Sequence, residues 1–194
     1  MATNNRDIIL KKAFNLIYKK GYQATSIDEI IATTEVTKGS FYHHFKTKEI
    51  MGLAIINEIV KPIMQNTFIT PLQNSLKPLE EIYLTTQSLL LENTFLKLEY
   101  GCPAGNLAQE MTPWNTEFSK AINQLIVEWQ TTIEDSIKKE IENGNVRSNV
   151  DPKQVSYFII SGYWGIRNLG KVYNNTDCYI SYLKELKTYL NNLN

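Results

Sequence analysis

The sequence is poor in the residues that build cross-linked, metal-binding or membrane-spanning proteins. Only two of its 194 residues are cysteine and two are histidine. Cys102 and Cys178 lie far apart and outside any CxxC or Cys/His ligand spacing, so we expect neither a disulfide framework nor a metal site. No run approaches the roughly 18 consecutive apolar residues of a membrane helix, and no apolar signal segment opens the chain. These absences predict a cytoplasmic protein that does not span a membrane.

The chain also lacks net charge, because 20 Lys and Arg residues balance 20 Asp and Glu residues. The two signs of charge are nevertheless distributed unevenly along the chain. Residues 1–50 hold eight Lys or Arg and five Asp or Glu, a net charge of +3, and the remaining residues carry −3. A basic head on an acidic body is typical of proteins that meet an anionic partner at one end.

Alternating strand patterns are almost absent, and helical periodicity runs along nearly the whole chain, which predicts an all-α fold. A first helix is expected over residues 6–20. Thr47 should cap a fourth helix that Pro62 kinks or ends. Pro71 and Pro78 are expected to bracket a connector.

Five further helices are predicted in the second part of the chain, over residues 79–98, 104–111, 114–143, 152–173 and 176–190. Asp151 should cap the fourth of these. The last two helices have more apolar surface than one small body needs to bury. A homodimer that forms through these two helices is therefore expected.

The segment 25–49 has the pattern of two helices joined by a tight turn. Ser26 and Glu29 form a capping box that opens the second helix of the chain, and Thr37 is placed to cap a very short third helix. The first turn of that third helix, residues 38–40, has little bulk and would let the backbone approach DNA bases closely. Donor-rich side chains that suit phosphate oxygens follow: Tyr42, His43, His44, Lys46 and Lys48.

The run Gly-Ser-Phe-Tyr-His-His-Phe-Lys-Thr-Lys, residues 39–48, resembles the end of the DNA-binding motif of TetR-type transcriptional repressors. The resemblance covers roughly residues 6–50. It implies an N-terminal three-helix helix-turn-helix DNA-binding domain, residues 1–50, and a larger helical effector-binding and dimerisation domain, residues 51–194. Glu35 stands where many members of the family carry glycine, so a local difference in the turn is expected. The residues expected at the DNA are Thr25, Thr37, Lys38, Gly39, Ser40, Tyr42, His43, His44 and Lys48.

The stretch from Tyr100 to Glu110 is similar to a Gly-Cys-x-x-Gly-Asn-Leu-x-x-Glu motif of a subgroup in which some members respond to electrophiles or oxidants. Cys102 precedes a predicted helix start, where the helix dipole stabilises a thiolate, and Lys171 or Arg167 would reinforce this effect if either approaches it. The alternative is an inert, packed thiol.

Aromatic side chains of the body are candidates for lining a pocket for an apolar or planar effector, and plain core packing is the alternative for each of them. Arg167 lies on a very apolar predicted helix and needs a partner, either a ligand carboxylate or Glu99 or Glu110. The candidate effector residues are Cys102, Trp114, Trp129, Phe158, Trp164, Arg167 and Lys171.

Together these patterns predict a homodimeric, ligand-responsive repressor that binds a palindromic double-stranded DNA operator and is released by a small-molecule effector. The alternative is a regulator that senses electrophiles or oxidants through covalent modification of Cys102. A third hypothesis, a helical enzyme with Cys102 as nucleophile, finds no supporting Ser/His/Asp, metal or phosphate-loop pattern. We therefore expect no enzymatic activity and no cofactor.

Overall fold

The computed structural model describes residues 5–194, and over this range the fold is all-α, as predicted. The α-helices are α1 (Asn5–Lys20), α2 (Ile27–Ala32), α3 (Lys38–His44), α4 (Lys48–Ile55), α5 (Lys61–Met64), α6 (Thr70–Asn74), α7 (Pro78–Gln87), α8 (Pro103–Met111), α9 (Thr116–Glu142), α10 (Pro152–Tyr173) and α11 (Asp177–Asn191). The other helical segments of residues 5–194 are three π-helical segments, Ile56–Val60, Gln65–Ile69 and Ser88–Glu92, and one 3₁₀ turn, Leu98–Tyr100. Residues 1–4 of the predicted head lie outside the described residues.

Several helix starts are confirmed at the capping residues that the sequence predicted. The Ser26 hydroxyl accepts from the Glu29 amide at 3.1 Å, and the Glu29 carboxylate accepts from the Ser26 amide at 2.8 Å. Thr37 caps α3 and Thr47 caps α4 in the same way, each through its hydroxyl. Asp151 caps α10 ahead of the proline at its first position. Each cap satisfies an amide that has no partner within its own helix.

The helix that begins at Lys48 does not end at Pro62. A π turn stands before Pro62 and another before Pro71: the Lys61 amide donates to the Ile56 carbonyl, and the Thr70 amide donates to the Gln65 carbonyl. A proline removes one amide donor and crowds the carbonyl four residues earlier, and the wider π turn makes room for it. The predicted connector is correspondingly shorter, since α6 runs to Asn74.

The helix predicted over residues 79–98 ends earlier. The π segment Ser88–Glu92 closes it, and the Asn93 amide donates to the Ser88 carbonyl. The Asn93 side chain then accepts from the amides of Phe95 and Leu96, both at 2.9 Å. An Asn side chain that bonds its own following backbone favours a turn over a helix, which explains the early end.

The residues form two compact units, and the two are described separately. The first unit contains residues 5–63 and 103–124, and the second contains residues 64–102 and 125–194. The predicted head therefore lies within the first unit, which also includes α8 and the first residues of α9.

The core of the first unit holds the short helix α3 in place. Phe41 and Phe45 are almost fully buried, and the Arg6 guanidinium lies 5.0 Å from the centroid of the Phe45 ring. Burying a phenylalanine side chain contributes roughly 1.5–3 kcal/mol, so these two rings stabilise a helix that is too short to form alone. The same unit contains a close helix contact: a Cβ added at Gly52 would come within 2.5 Å of the Phe118 ring.

The turn before α3 is unstrained. Among the described residues, only Asn174 combines a side chain with a positive φ, so Glu35 does not adopt the conformation that would favour glycine. A difference from the turn of the family members that carry glycine at this position stays a prediction. Positive φ occurs instead at Gly21, after α1, where φ is 96°.

The second unit packs around an aromatic cluster. Phe68 lies 4.3 Å from Trp129 and 5.2 Å from Tyr163, measured between ring centroids. Helices α10 and α11 pack closely at two glycines of α10: a Cβ at Gly162 would meet the Tyr182 ring, and one at Gly170 would meet the Tyr179 ring. Within residues 5–194, no helix has the length and apolar character needed to cross a membrane.

Candidate DNA-binding surface and effector region

Helix α3 presents one buried and one exposed face, as a recognition helix requires. Phe41 anchors the buried face, and Lys38, Gly39, Tyr42 and His43 are exposed. The nearest atom to a Cβ built on Gly39 is the Thr37 hydroxyl at 3.9 Å, so this part of the helix surface is open. An open, small-residue first turn lets a helix backbone approach base edges in a major groove.

The flanks of α3 carry the side chains that the sequence assigns to phosphates. Lys38 forms an exposed ion pair with Asp28 at 2.8 Å, and Asp28 raises the pKa of Lys38. The rings of His43 and His44 lie 5.1 Å apart, edge to face. An exposed ion pair such as this contributes little to stability, so Lys38 is easily redirected to an anionic partner.

Thr25 and Lys48 are engaged within the chain. Thr25 is fully buried, and its hydroxyl donates to the Gly21 carbonyl at 2.7 Å. The Lys48 ammonium group donates to the Tyr22 carbonyl at 2.6 Å. Desolvation lowers the pKa of Lys48, although the Glu110 and Glu29 carboxylates act in the opposite direction. The phosphate contacts expected of Thr25 and Lys48 remain predictions.

A residue outside the predicted head, Glu110, completes this region, and its contact with the head was not predicted from the sequence. Glu110 of α8 accepts hydrogen bonds from the amides of Tyr22 and Gln23 at 2.8 and 2.5 Å. Tyr22 is buried against Phe118. Burial, reinforced by the nearby charges of Glu49 and Glu110, raises the pKa of Tyr22 to about 12.

The candidate effector residues do not gather in one cavity. Trp114 belongs to the first unit and is 80% exposed, whereas the other six belong to the second. Trp129 is buried in the aromatic cluster and lines a void of only about 10 Å³. Phe158 is partly exposed and stacks on Tyr189, Trp164 is half-buried, and Lys171 is exposed.

Arg167 has partners other than those expected. Its guanidinium is almost fully buried and donates to the carbonyl oxygens of Lys97 at 3.0 Å and Gly101 at 2.5 Å, and to the Tyr179 hydroxyl at 3.2 Å. Glu110, one of the two carboxylates considered for it, bonds instead to Tyr22 and Gln23. Arg167 therefore holds the loop that precedes Cys102, which is itself buried.

An open groove of the second unit lies elsewhere, with a volume of about 700 Å³. Leu76, Tyr83, Glu140 and Lys187 are among its lining residues, and none of the candidate effector residues is. The buried Glu140 carboxylate accepts from the Asn145 side chain at 3.1 Å, which ties the end of α9 to the following turn. Within residues 5–194, no three metal-ligating side chains cluster.

Two family models match the chain. Residues 9–55 match the bacterial regulatory proteins of the tetR family, and residues 88–185 match the tetracyclin repressor-like C-terminal domain. The chain belongs to the TetR family. It is a transcriptional regulator with a helix-turn-helix DNA-binding head, and the regulators of this family are transcription factors rather than enzymes.

Individual transcriptional regulators are similar to this chain over most of their length. An HTH-type transcriptional regulator in the lacX 3′ region of Lactococcus lactis subsp. lactis is 33% identical over 69% of this chain and 68% of its own. The HTH-type transcriptional repressor DhaR of Mycobacterium sp. (strain GP1) is 24% identical over 82% of this chain and 79% of its own. A TetR transcriptional regulator from Chloroflexus aurantiacus has the same fold, with a TM-score of 0.84, 26% identity and coverage of 95% and 93% of the two chains.

Proposed function

We propose that this TetR-family regulator is a cytoplasmic homodimeric repressor that binds a palindromic DNA operator and is released by a small-molecule effector. The observation that carries the DNA-binding part is the open face of α3, where Gly39 and the exposed Lys38, Tyr42 and His43 stand over the buried Phe41. Relatives described as repressors support the direction of regulation. Two heads related by a two-fold axis would read two half-sites about one helical turn apart.

The dimer part of the proposal is supported by apolar side chains that remain exposed on the last two helices. Val172 is 75% exposed and Tyr173 57%. A monomer rarely leaves so many large apolar side chains in water on neighbouring helices, and a second copy of the chain would cover them. The exposed apolar residues of α10 and α11 are Tyr157, Phe158, Leu169, Val172, Tyr173 and Ile180.

In the effector part of the proposal, the tight core of the second unit has to open before a ligand can bind in it. The void beside Phe68 and Trp129 is far smaller than any effector, so a planar apolar ligand would have to separate the rings of the cluster to enter. Two π-helical segments, Gln65–Ile69 and Ser88–Glu92, belong to the same unit. Such turns are often found where a helix changes shape during function. A ligand that prefers the opened core would shift the protein away from its DNA-binding conformation.

An alternative is covalent sensing through Cys102, with an electrophile or oxidant in place of the reversible effector. The thiol directly precedes α8, and Arg167 brings a positive charge to the preceding carbonyl. Treatment with N-ethylmaleimide would separate the two versions. An adduct on Cys102 that releases DNA, and no release in Cys102→Ser, would favour covalent sensing, whereas release without an adduct would exclude it.

The DNA-binding proposal is tested by titrating the purified protein onto the DNA upstream of its own gene at several salt concentrations. We expect tight binding with a steep salt dependence, because each phosphate contact releases bound counterions. Tyr42→Ala should weaken binding to every sequence and flatten the salt dependence. Salt-independent binding, or unaltered binding by the Tyr42 variant, would contradict the assignment.

A further inference from the structure

We infer that Glu110 is a positioning residue for DNA binding, because it fixes the turn between α1 and α2 from outside the helix-turn-helix motif. The inference rests on the proposed DNA-binding function and adds a residue that lies 62 positions beyond Lys48. Both oxygens of the Glu110 carboxylate are used: Oε2 accepts from the Tyr22 amide at 2.8 Å and Oε1 from the Gln23 amide at 2.5 Å.

Lys48 holds the same turn through a backbone carbonyl, whereas Glu110 holds it through two backbone amides. The Tyr22 carbonyl accepts from the Lys48 ammonium group at 2.6 Å and from the Thr25 amide at 3.2 Å. Backbone groups of Tyr22 and Gln23 are thus fixed by one anionic and one cationic side chain. Charge-assisted hydrogen bonds of this kind are about twice as strong as neutral ones, so the two side chains specify the turn geometry together.

The turn itself is built to admit the carboxylate. Gly21 adopts a φ of 96°, and a Cβ at this position would lie 3.1 Å from Oε2 of Glu110. Any larger residue at position 21 would be strained and would also crowd the carboxylate. The Thr25 hydroxyl closes the turn by donating to the Gly21 carbonyl at 2.7 Å.

The turn determines the positions of residues that are candidates for contacting DNA phosphates. Thr25 ends it, Ser26 caps α2 directly afterwards, and the Lys48 ammonium group is attached to it. If Glu110 released the two amides, Lys48 and the start of α2 would lose their fixed position relative to α3. Phosphate contacts set the register of a DNA-binding protein on the duplex, so their displacement would weaken binding to all sequences.

The inference is testable because charge repulsion and a positioning role predict opposite changes in DNA affinity when Glu110 is replaced. A carboxylate in a DNA-binding unit repels the phosphate backbone, so its removal should strengthen DNA binding if charge alone mattered. A positioning role predicts the opposite sign. Glu117 provides the matched control, because it is an exposed carboxylate of the same unit that pairs with Lys120 at 2.8 Å.

The experiment compares Glu110→Gln, Glu110→Asp and Glu117→Gln with the unaltered protein. We expect Glu110→Gln to weaken binding to the upstream DNA about tenfold and to lower the salt slope, which is about 0.9 for each phosphate contact. Glu110→Asp keeps the charge but is one methylene too short to reach both amides, so we expect a similar loss. Glu117→Gln should bind as tightly as the unaltered protein, or more tightly.

A second measurement does not depend on DNA. Hydrogen exchange at the amides of Tyr22 and Gln23 should accelerate in both Glu110 variants. Thermal unfolding of the same variants is the control that checks whether the chain still folds. Unaltered exchange, or DNA binding by Glu110→Gln that is as tight as that of the unaltered protein, would overturn the role of Glu110. Failure of the unaltered protein to bind the upstream DNA would instead overturn the proposed function, and that titration reveals it without any variant.

Discussion

The ammonium group of Lys48 lies 2.6 Å from the carbonyl oxygen of Tyr22 and 4.2 Å from the centroid of the Tyr22 ring. A lysine that the motif assigns to phosphate therefore also stabilises the fold of the head. Its half-buried position allows the stem to pack on the ring while the charged end satisfies a backbone carbonyl.

Lys48→Met should accordingly destabilise the protein as well as weaken DNA binding. Loss of a hydrogen bond from a charged donor is expected to lower the free energy of unfolding by about 1–2 kcal/mol. Urea denaturation measures this loss. Lys46→Met is the matched control, because Lys46 is exposed two residues earlier and should affect DNA binding alone. Equal stability of the two variants would contradict the structural role of Lys48.

Gly39→Ala should raise the stability of the protein but lower its affinity for DNA. Gly39 is exposed in α3, and a Cβ there meets no atom closer than 3.9 Å, so alanine should stabilise the helix by about 0.5–1 kcal/mol. The added methyl group would nevertheless stand between the helix backbone and DNA, and we expect weaker binding to the upstream fragment. Thermal unfolding and DNA titration of the same preparation test both parts. Unchanged DNA affinity would show that bases do not approach the helix at Gly39.

The sequence predicted those parts of the fold that depend on residues close together in the chain. The capping box of Ser26 and Glu29 and the Thr37 cap of α3 were all identified from spacing, and the structure confirms them. Such interactions join residues within one turn of helix, so their geometry follows from local sequence. The π turns before Pro62 and Pro71 escaped prediction, because whether a helix bends, ends or widens at a proline depends on what packs against it.

Contacts between residues that are distant in the chain could not be predicted from the sequence. Glu110 and Tyr22 are separated by 88 positions, and nothing in the local pattern of either residue indicates the other. Arg167 illustrates the same limit: its burial made a partner necessary, but the main-chain carbonyls of Lys97 and Gly101 leave no trace in side-chain composition. Single carbonyl acceptors of this kind are offered by every residue of the chain.

The stability of the head should depend on acid pH through Glu29. A hydrogen bond from Lys20, with the capping contacts to Ser26, lowers the pKa of Glu29 from 4.5 to about 2. The folded state prefers the ionised carboxylate, so its contribution is present above a pH of about 4.5 and is lost as the pH falls towards 2.

Glu29→Gln should therefore reduce the fall in melting temperature between these two pH values. Glu35→Gln, which removes another exposed carboxylate of the same unit, is the control. The Glu58 carboxylate, whose pKa is lowered chiefly by a hydrogen bond from Arg6, is present in both variants and leaves a residual dependence on pH. A Glu29 variant with the same acid dependence as the control would refute the assignment.

Arg167→Met should strongly destabilise the second unit. The substitution preserves much of the side-chain volume but leaves the carbonyls of Lys97 and Gly101, the second of them buried, without this donor, at an expected cost of about 3 kcal/mol. Guanidinium denaturation followed by circular dichroism measures the change. Lys171→Met removes an exposed cation from the same helix and should alter stability by less than about 0.5 kcal/mol. Similar midpoints for the two variants would show that the loop before Cys102 does not depend on Arg167.

Val172→Glu should dissociate the proposed dimer without unfolding the chain. Val172 is 75% exposed on α10, so a charged side chain fits easily in the monomer, but a partner helix would force two carboxylates into an apolar contact. We expect the dissociation constant of the dimer to rise roughly a hundredfold, which corresponds to about 2.7 kcal/mol. Sedimentation equilibrium of the variant measures this shift.

Leu76→Glu is the matched control, because Leu76 is 92% exposed outside these helices and the same charge there should leave the dimer intact. A dimer that survives Val172→Glu but not Leu76→Glu would move the contact from α10 to the region before α7.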